Sequence, residues 1–113
     1  MKSEAEIRKA LAKLKKLRNK IDAVDRLFMK ELAKRFQVVR EVGILKNEFN
    51  FPIHQKSRMN EMLNGRRDDA ARLKLDGKLV YNIFDLIHEA SIVCQEEIVK
   101  KTAQNKKAKK RSR

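Results

Sequence analysis

The first 42 residues contain no Gly and no Pro, and their apolar positions recur at intervals built from threes and fours. Ile7, Leu11, Leu14, Ile21, Phe28, Leu32, Val39 and Val42 therefore share one face of an α-helix. Ser3 followed by Glu6 is a capping-box start signal, because each side chain can satisfy the other's free backbone N–H. Polar residues from Asn47 to Asn50, then Phe51-Pro52, form a stop. The pattern predicts one helix from about residue 4 to about residue 47. A second helix begins near Gln55 and carries Met59, Met62 and Leu63, with Asn64-Gly65 marking a kink or a stop. Asp76 is a good N-cap for a third helix over about residues 77–103, whose stripe reads Val80, Phe84, Ile87, Ser91, Cys94, Ile98.

The length of the first helix carries a consequence. At 1.5 Å per residue it spans roughly 65 Å. A compact chain of 113 residues has a radius of gyration of only about 13 Å. The apolar stripe runs nearly end to end, so something beyond one chain has to cover it. The cheapest cover is a second copy. The expected architecture is all-α: three helices per chain, one of them very long, in an intertwined six-helix homodimer.

Composition narrows the class. Three Gly and one Pro are too few for the turns of an all-β sandwich or barrel. The single Cys94 excludes an internal disulfide and a multi-Cys zinc site, and it reads as a core residue. No apolar run approaches the length of a membrane span. Met1 to Glu6 lacks the apolar region of a signal peptide. A cytoplasmic location with no metal and no cofactor is the expectation.

The charge is lopsided. The chain holds 29 Lys and Arg against 15 Asp and Glu, a net +14. Eight of those cations and no acid lie in residues 100–113. This divides the chain into a folded helical domain over 1–99 and a basic, disordered tail over 100–113. Like charges repel and stay solvated, and an arm for nucleic acid or another anionic surface is the sharper reading of the same residues. No aromatic side chain interleaves the tail, so nothing there suggests base stacking.

Four charges sit on the stripe that periodicity marks for burial. Alternating steps of four and three from Ile7 arrive at Arg18, Asp25, Arg35 and Lys46. On the third helix Ser91 lies mid-stripe, with Gln95 one turn on and His88 beside it. Burying an unpaired cation costs several kcal/mol, by order of magnitude. One acid cannot serve three cations on its own helix. Ion pairs with acids on other helices would relieve the cost, and so would a buried anionic ligand. Arginine grips carboxylate bidentately, so a small di-acid suits two arginines and a lysine. Arg35 and Lys46 are eleven residues apart, within about 20° of one helical azimuth, and would flank one pocket. His54 and His88 have no acid-and-nucleophile constellation and read as structural or surface residues. No Gly-rich phosphate loop exists.

These residues resemble a known family. The segment LRNKIDAVDRLFMKELAKRFQVVREVGILK, residues 17–46, is similar to the first helix of the all-helical class of chorismate mutases. That family's pattern is L-R-x-x-I-D-x-x-D, an Arg in mid-helix, then V-G-x-x-K. HEASIVCQEE, residues 88–97, resembles its E-x-S-x-x-x-Q segment. Arg58 in RMNEML falls where the family has a second-helix Arg. The likeness extends over about residues 8–99.

The resemblance implies the domain-swapped helical dimer and a Claisen rearrangement of chorismate to prephenate in phenylalanine and tyrosine biosynthesis. It implies that Arg35 binds one substrate carboxylate, while Arg18 reaches the other from the partner chain. Lys46 and Gln95 would donate to the ether oxygen where negative charge develops. Ser91 would contact a carboxylate, and Arg58 would help order the site. Well-known members carry acids on the second helix that contact the substrate hydroxyl. Gln55 and Met59 stand there instead; Gln55 can accept a hydrogen bond and Met59 cannot usefully do so. The rearrangement is unimolecular and needs no nucleophile, metal or acid–base pair, which suits a sequence that offers none.

Three other functions fit parts of the same sequence. An isochorismate pyruvate-lyase on this fold would use the same cations. A basic helical nucleic-acid-binding dimer accounts for the +14 charge, although Arg18, Arg35 and Lys46 lie where a duplex does not reach, leaving only non-specific contact through the tail. A helical dimerisation module would use the buried charges to fix its register.

Overall fold

A computed structural model describes residues 1–111 of the chain. Three helices follow one another: α1 (Glu4–Phe49), α2 (Lys56–Arg72) and α3 (Gly77–Arg111). No strand occurs among the described residues.

The start signals act as the sequence predicts. Glu6 N–H donates to Ser3 Oγ and Ser3 N–H donates to Glu6 Oε2, both at 3.2 Å, closing the capping box of α1. Asp76 Oδ1 accepts from the N–H of Lys78 at 2.9 Å and of Leu79 at 3.3 Å, capping α3. The ends are set by backbone geometry. Asn50 takes a left-handed φ of 56°, and Phe51 N–H reaches back to the Lys46 carbonyl at 2.8 Å. Lys74 does the same after α2, with φ 58° and Leu75 N–H on the Ala70 carbonyl at 2.9 Å. Both are Schellman-type closures that satisfy orphan carbonyls.

Two boundaries differ from expectation. Asn64-Gly65 does not stop α2, which continues to Arg72; Gly65 faces open space. The helix expected to end near residue 103 runs on to Arg111. Lys, Arg, Gln and Ala are strong helix formers, and their propensity carries α3 through the basic segment. Residues 112 and 113 of that segment lie outside the described residues.

The chain separates into two compact units, Met1–Arg35 and a second that begins at Phe36. The first unit is a single stretch of helix with no buried residue. Its stripe is open: Ile21 is 59% exposed and Phe28 57%. Arg18 and Asp25 are exposed with it, and Arg35, its last residue, is half-buried.

The second unit holds the core. Met62, Leu63 and Ala70 of α2 are buried, spaced so that they share one helix face. That face packs on α3, where the Arg66 guanidinium lies 5.6 Å from the Phe84 ring centroid. Cys94 is a free thiol, half-buried on α3. No helix among the described residues is long and apolar enough to cross a membrane.

Candidate functional site

His88, Ser91, Gln95 and Ile98 follow one another along α3 at steps of three, four and three, which puts them on one face. Ser91 and Gln95 are the buried polar residues among the described residues, each 5% exposed. Ser91 Oγ donates to the Ile87 carbonyl at 2.7 Å, a bond back to the preceding turn that holds the hydroxyl against its own helix. Gln95 Oε1 is shut away from solvent and has no hydrogen-bond partner. A buried amide end without a partner costs roughly 1–3 kcal/mol. An amide can also turn about its last torsion and exchange carbonyl for NH₂ with little change of shape.

The C-terminal part of α1 meets this face at Gly43, its buried residue. A Cβ on Gly43 would lie 2.9 Å from Ile98 Cδ1, 3.1 Å from Gln95 Cγ and 3.4 Å from Gln95 Cα. Lys46 follows three residues later on α1 and is half-buried. Its Nζ donates to the Ile53 carbonyl at 2.7 Å, tying the α1–α2 connection to the last turn of α1. Next along that connection, the His54 ring lies 5.6 Å from the half-buried His88 ring, tilted by 53°. So α1 touches the α3 face at Gln95 and Ile98, the connection touches it at His88, and Ser91 stands between the two contacts.

Removal from water holds the Lys46 ammonium below its ordinary pKa of 10.5. Ion pairs among the described residues include Lys34–Glu31, Arg58–Glu61, Arg66–Asp69, Arg67–Asp68 and Arg72–Asp69, none of which involves Lys46. A partly desolvated cation with an uncharged partner attracts an anion more strongly than a solvated or ion-paired one.

The remaining residues marked by the sequence stand in different settings. Gln55 is exposed at the N-cap of α2, and its Nε2 donates to the Pro52 carbonyl at 3.4 Å. Arg58 has 61% of its side chain exposed and lies 3.7 Å from Glu61 on its own helix. Arg18 and Arg35 belong to the first unit. The second unit thus gathers Lys46, Ser91 and Gln95 around Gly43 and the connection, with Gln55 at the connection's end. Two features escape the sequence reading. The close approach at Gly43 had only a Gly inside a helical run as its signal. The meeting of His54 with His88 had none, since they are 34 residues apart in the chain.

Chemically, this corner offers a cationic N–H donor, a neutral amide and a hydroxyl at a partly dry surface. Such a set stabilises negative charge on oxygen.

Comparison with known proteins agrees with that character. The family model for chorismate mutase type II matches residues 17–96. A T-protein of Enterobacter agglomerans is 33% identical over 87 residues, covering 77% of this chain and 23% of its own. A T-protein of Haemophilus influenzae is 34% identical over 70 residues, 62% of this chain and 19% of its own. A chorismate mutase of Methanocaldococcus jannaschii is 27% identical over 99 residues, 88% of this chain and 99% of its own. The chain therefore spans less than a quarter of the length of the T-proteins it matches.

Proposed function

Since this chain belongs to the chorismate mutase type II family, we propose that it isomerises chorismate to prephenate. Two observations carry the reading: a partly desolvated Lys46 stands three residues after Gly43, and Gly43 is the α1 residue packed against the Gln95 side chain, whose buried Oε1 has no hydrogen-bond partner. In the rearrangement the ether C–O bond breaks as a C–C bond forms, and negative charge gathers on the ether oxygen. Lys46 and Gln95 donate to that oxygen, and donors fixed in advance stabilise the transition state without reorganising. Arg35 holds one end of the dianion, joined by Ser91 when its single O–H turns from the Ile87 carbonyl to the substrate, and Arg58 orders the second-helix side of the site. Gln55 is the acceptor offered to the substrate hydroxyl. Holding the substrate in its compact conformer supplies the rest of the rate. The reading carries with it a cytoplasmic location and no cofactor.

The same proposal makes the protein a homodimer in which Arg18 enters the site of the partner subunit. Its support is the open stripe of the first unit, where Ile7, Leu11, Leu14, Leu17, Ile21, Val24, Leu27, Phe28 and Met29 are all exposed. A contiguous apolar strip of that length marks an association surface, and a lone helix gains most of its stability from packing that face.

The test is chorismate turnover by the purified full chain, with product identification. Prephenate is the expected product. Pyruvate and salicylate from isochorismate, with little prephenate from chorismate, would overturn the assignment in favour of a lyase. No turnover of either substrate by a folded protein would overturn both.

A further inference from the structure

Gly43 stands inside α1, a position where glycine weakens a helix. It does not need glycine's backbone freedom, because no glycine of the chain has a positive φ. Its reason is space. Of the atoms a Cβ would meet, Ile98 Cδ1 at 2.9 Å is the far end of a flexible side chain and can swing aside. The Gln95 Cα at 3.4 Å is an ordinary contact. Gln95 Cγ at 3.1 Å is the one that has to give by a few tenths of an ångström, and it carries the amide. That amide has a buried oxygen with no hydrogen bond to hold it. Packing does the holding, and the bare Cα of Gly43 is the surface it packs on.

We propose that Gly43 is a positioning residue: its missing side chain fixes the place of the Gln95 amide in the site. The inference deepens the chorismate mutase reading and rests on it for its kinetic consequence. Any side chain at 43 displaces the Gln95 donor while leaving α1 intact, since alanine is the better helix former. Misplacing a catalytic group by 1 Å can cost about a hundredfold in rate, so a shift of a few tenths of an ångström is expected to cost about tenfold.

The experiment compares wild type, Gly43→Ala, Ile98→Val and the double variant in two measurements. The first is the side-chain NH₂ signal of Gln95 in a ¹⁵N correlation spectrum, identified by its loss in Gln95→Leu. The second is kcat and KM for chorismate. Gly43→Ala is expected to keep the helix content, move the Gln95 signal and lower kcat about tenfold with a smaller change in KM. Ile98→Val alone stays near wild type. In the double variant the 2.9 Å overlap is gone but the contact with Gln95 Cγ remains, so kcat and the signal stay displaced. Full recovery in the double variant would mean the loss came from crowding at Ile98, and would overturn the proposal. So would an unmoved Gln95 signal in Gly43→Ala. Should Gly43→Ala fail to fold, the roomier double variant is read against Ile98→Val in its place. If wild type has no mutase activity the functional reading fails, and the spectrum still decides whether Gly43 positions Gln95.

Discussion

The first 35 residues and the rest of the chain start from the same material, an amphipathic helix, and reach opposite degrees of burial. The first unit has its apolar stripe exposed from Ile7 to Met29 and buries nothing. The second buries Met62, Leu63 and Ala70, and also Gly43, Ser91 and Gln95. The difference teaches that periodicity reports a face to be covered, not what covers it. In the second unit the cover is the chain's own α2 and α3. In the first the proposed cover is a second copy of the chain, and the two units are expected to respond to mutation in different ways.

The largest effect should come from a charge on the open stripe. Ile21→Asp places an unpaired carboxylate where a second chain is expected to pack, at a cost of several kcal/mol. Sedimentation should show particles of one chain rather than two, with α2 and α3 still helical. A dimer that survives Ile21→Asp would erase the contrast between the units, because the stripe would then be a solvated face.

Next in size is Lys46→Ala, which removes a donor from the second unit. Turnover should fall by about 10²–10³, or ~3–4 kcal/mol of barrier, while the protein stays dimeric. The pH profile sharpens the point. Burial lowers the pKa of Lys46, and the donating form is the protonated one. Activity should therefore be level across neutral pH and fall at alkaline pH, on a limb lying below the 10.5 of a free lysine. The bound dianion favours the charged ammonium, so the limb in kcat should lie above that in kcat/KM. A loss of activity toward acid instead would point to a group other than Lys46.

Leu63→Ala tests the core directly and should cost about 2–5 kcal/mol by thermal unfolding. The smallest effect belongs to the caps. Asp76→Ala removes the acceptor for two N–H groups at the start of α3 and should cost about 1 kcal/mol. A cap loss as large as the core loss would mean that α3 is held by its end rather than by its packing on α2.

Local signals were legible in the sequence and contacts between helices were not. Ser3, Glu6 and Asp76 could be read as caps because each acts within three residues of itself. The end of α2 was harder to read than that of α1, which falls inside the predicted Asn47–Asn50 stop. Asn50 and Lys74 turn left-handed in place of the glycine that usually signals such a cap, and Gly65 gave the signal of a stop where none occurs. The basic segment was read by its charge, whereas its helix-forming residues decide its backbone. Among the candidate site residues, Lys46, Ser91 and Gln95 stood out as polar groups on apolar stripes. The role of Gly43 emerges only when α1 meets α3, because an absent side chain has meaning only against the neighbour that occupies its space.

The claim that joins both units is that the open helix of one chain completes the site of another. Mixing two single variants, Arg18→Ala and Lys46→Ala, each expected to be nearly inactive, tests it directly. If Arg18 acts on the partner's site, a mixed dimer carries one site with both side chains intact and one with neither. Half of the dimers in an equal mixture are mixed, so exchange of subunits should restore about a quarter of wild-type activity. No recovery after demonstrated exchange would contradict the claim and return Arg18 to the site of its own chain.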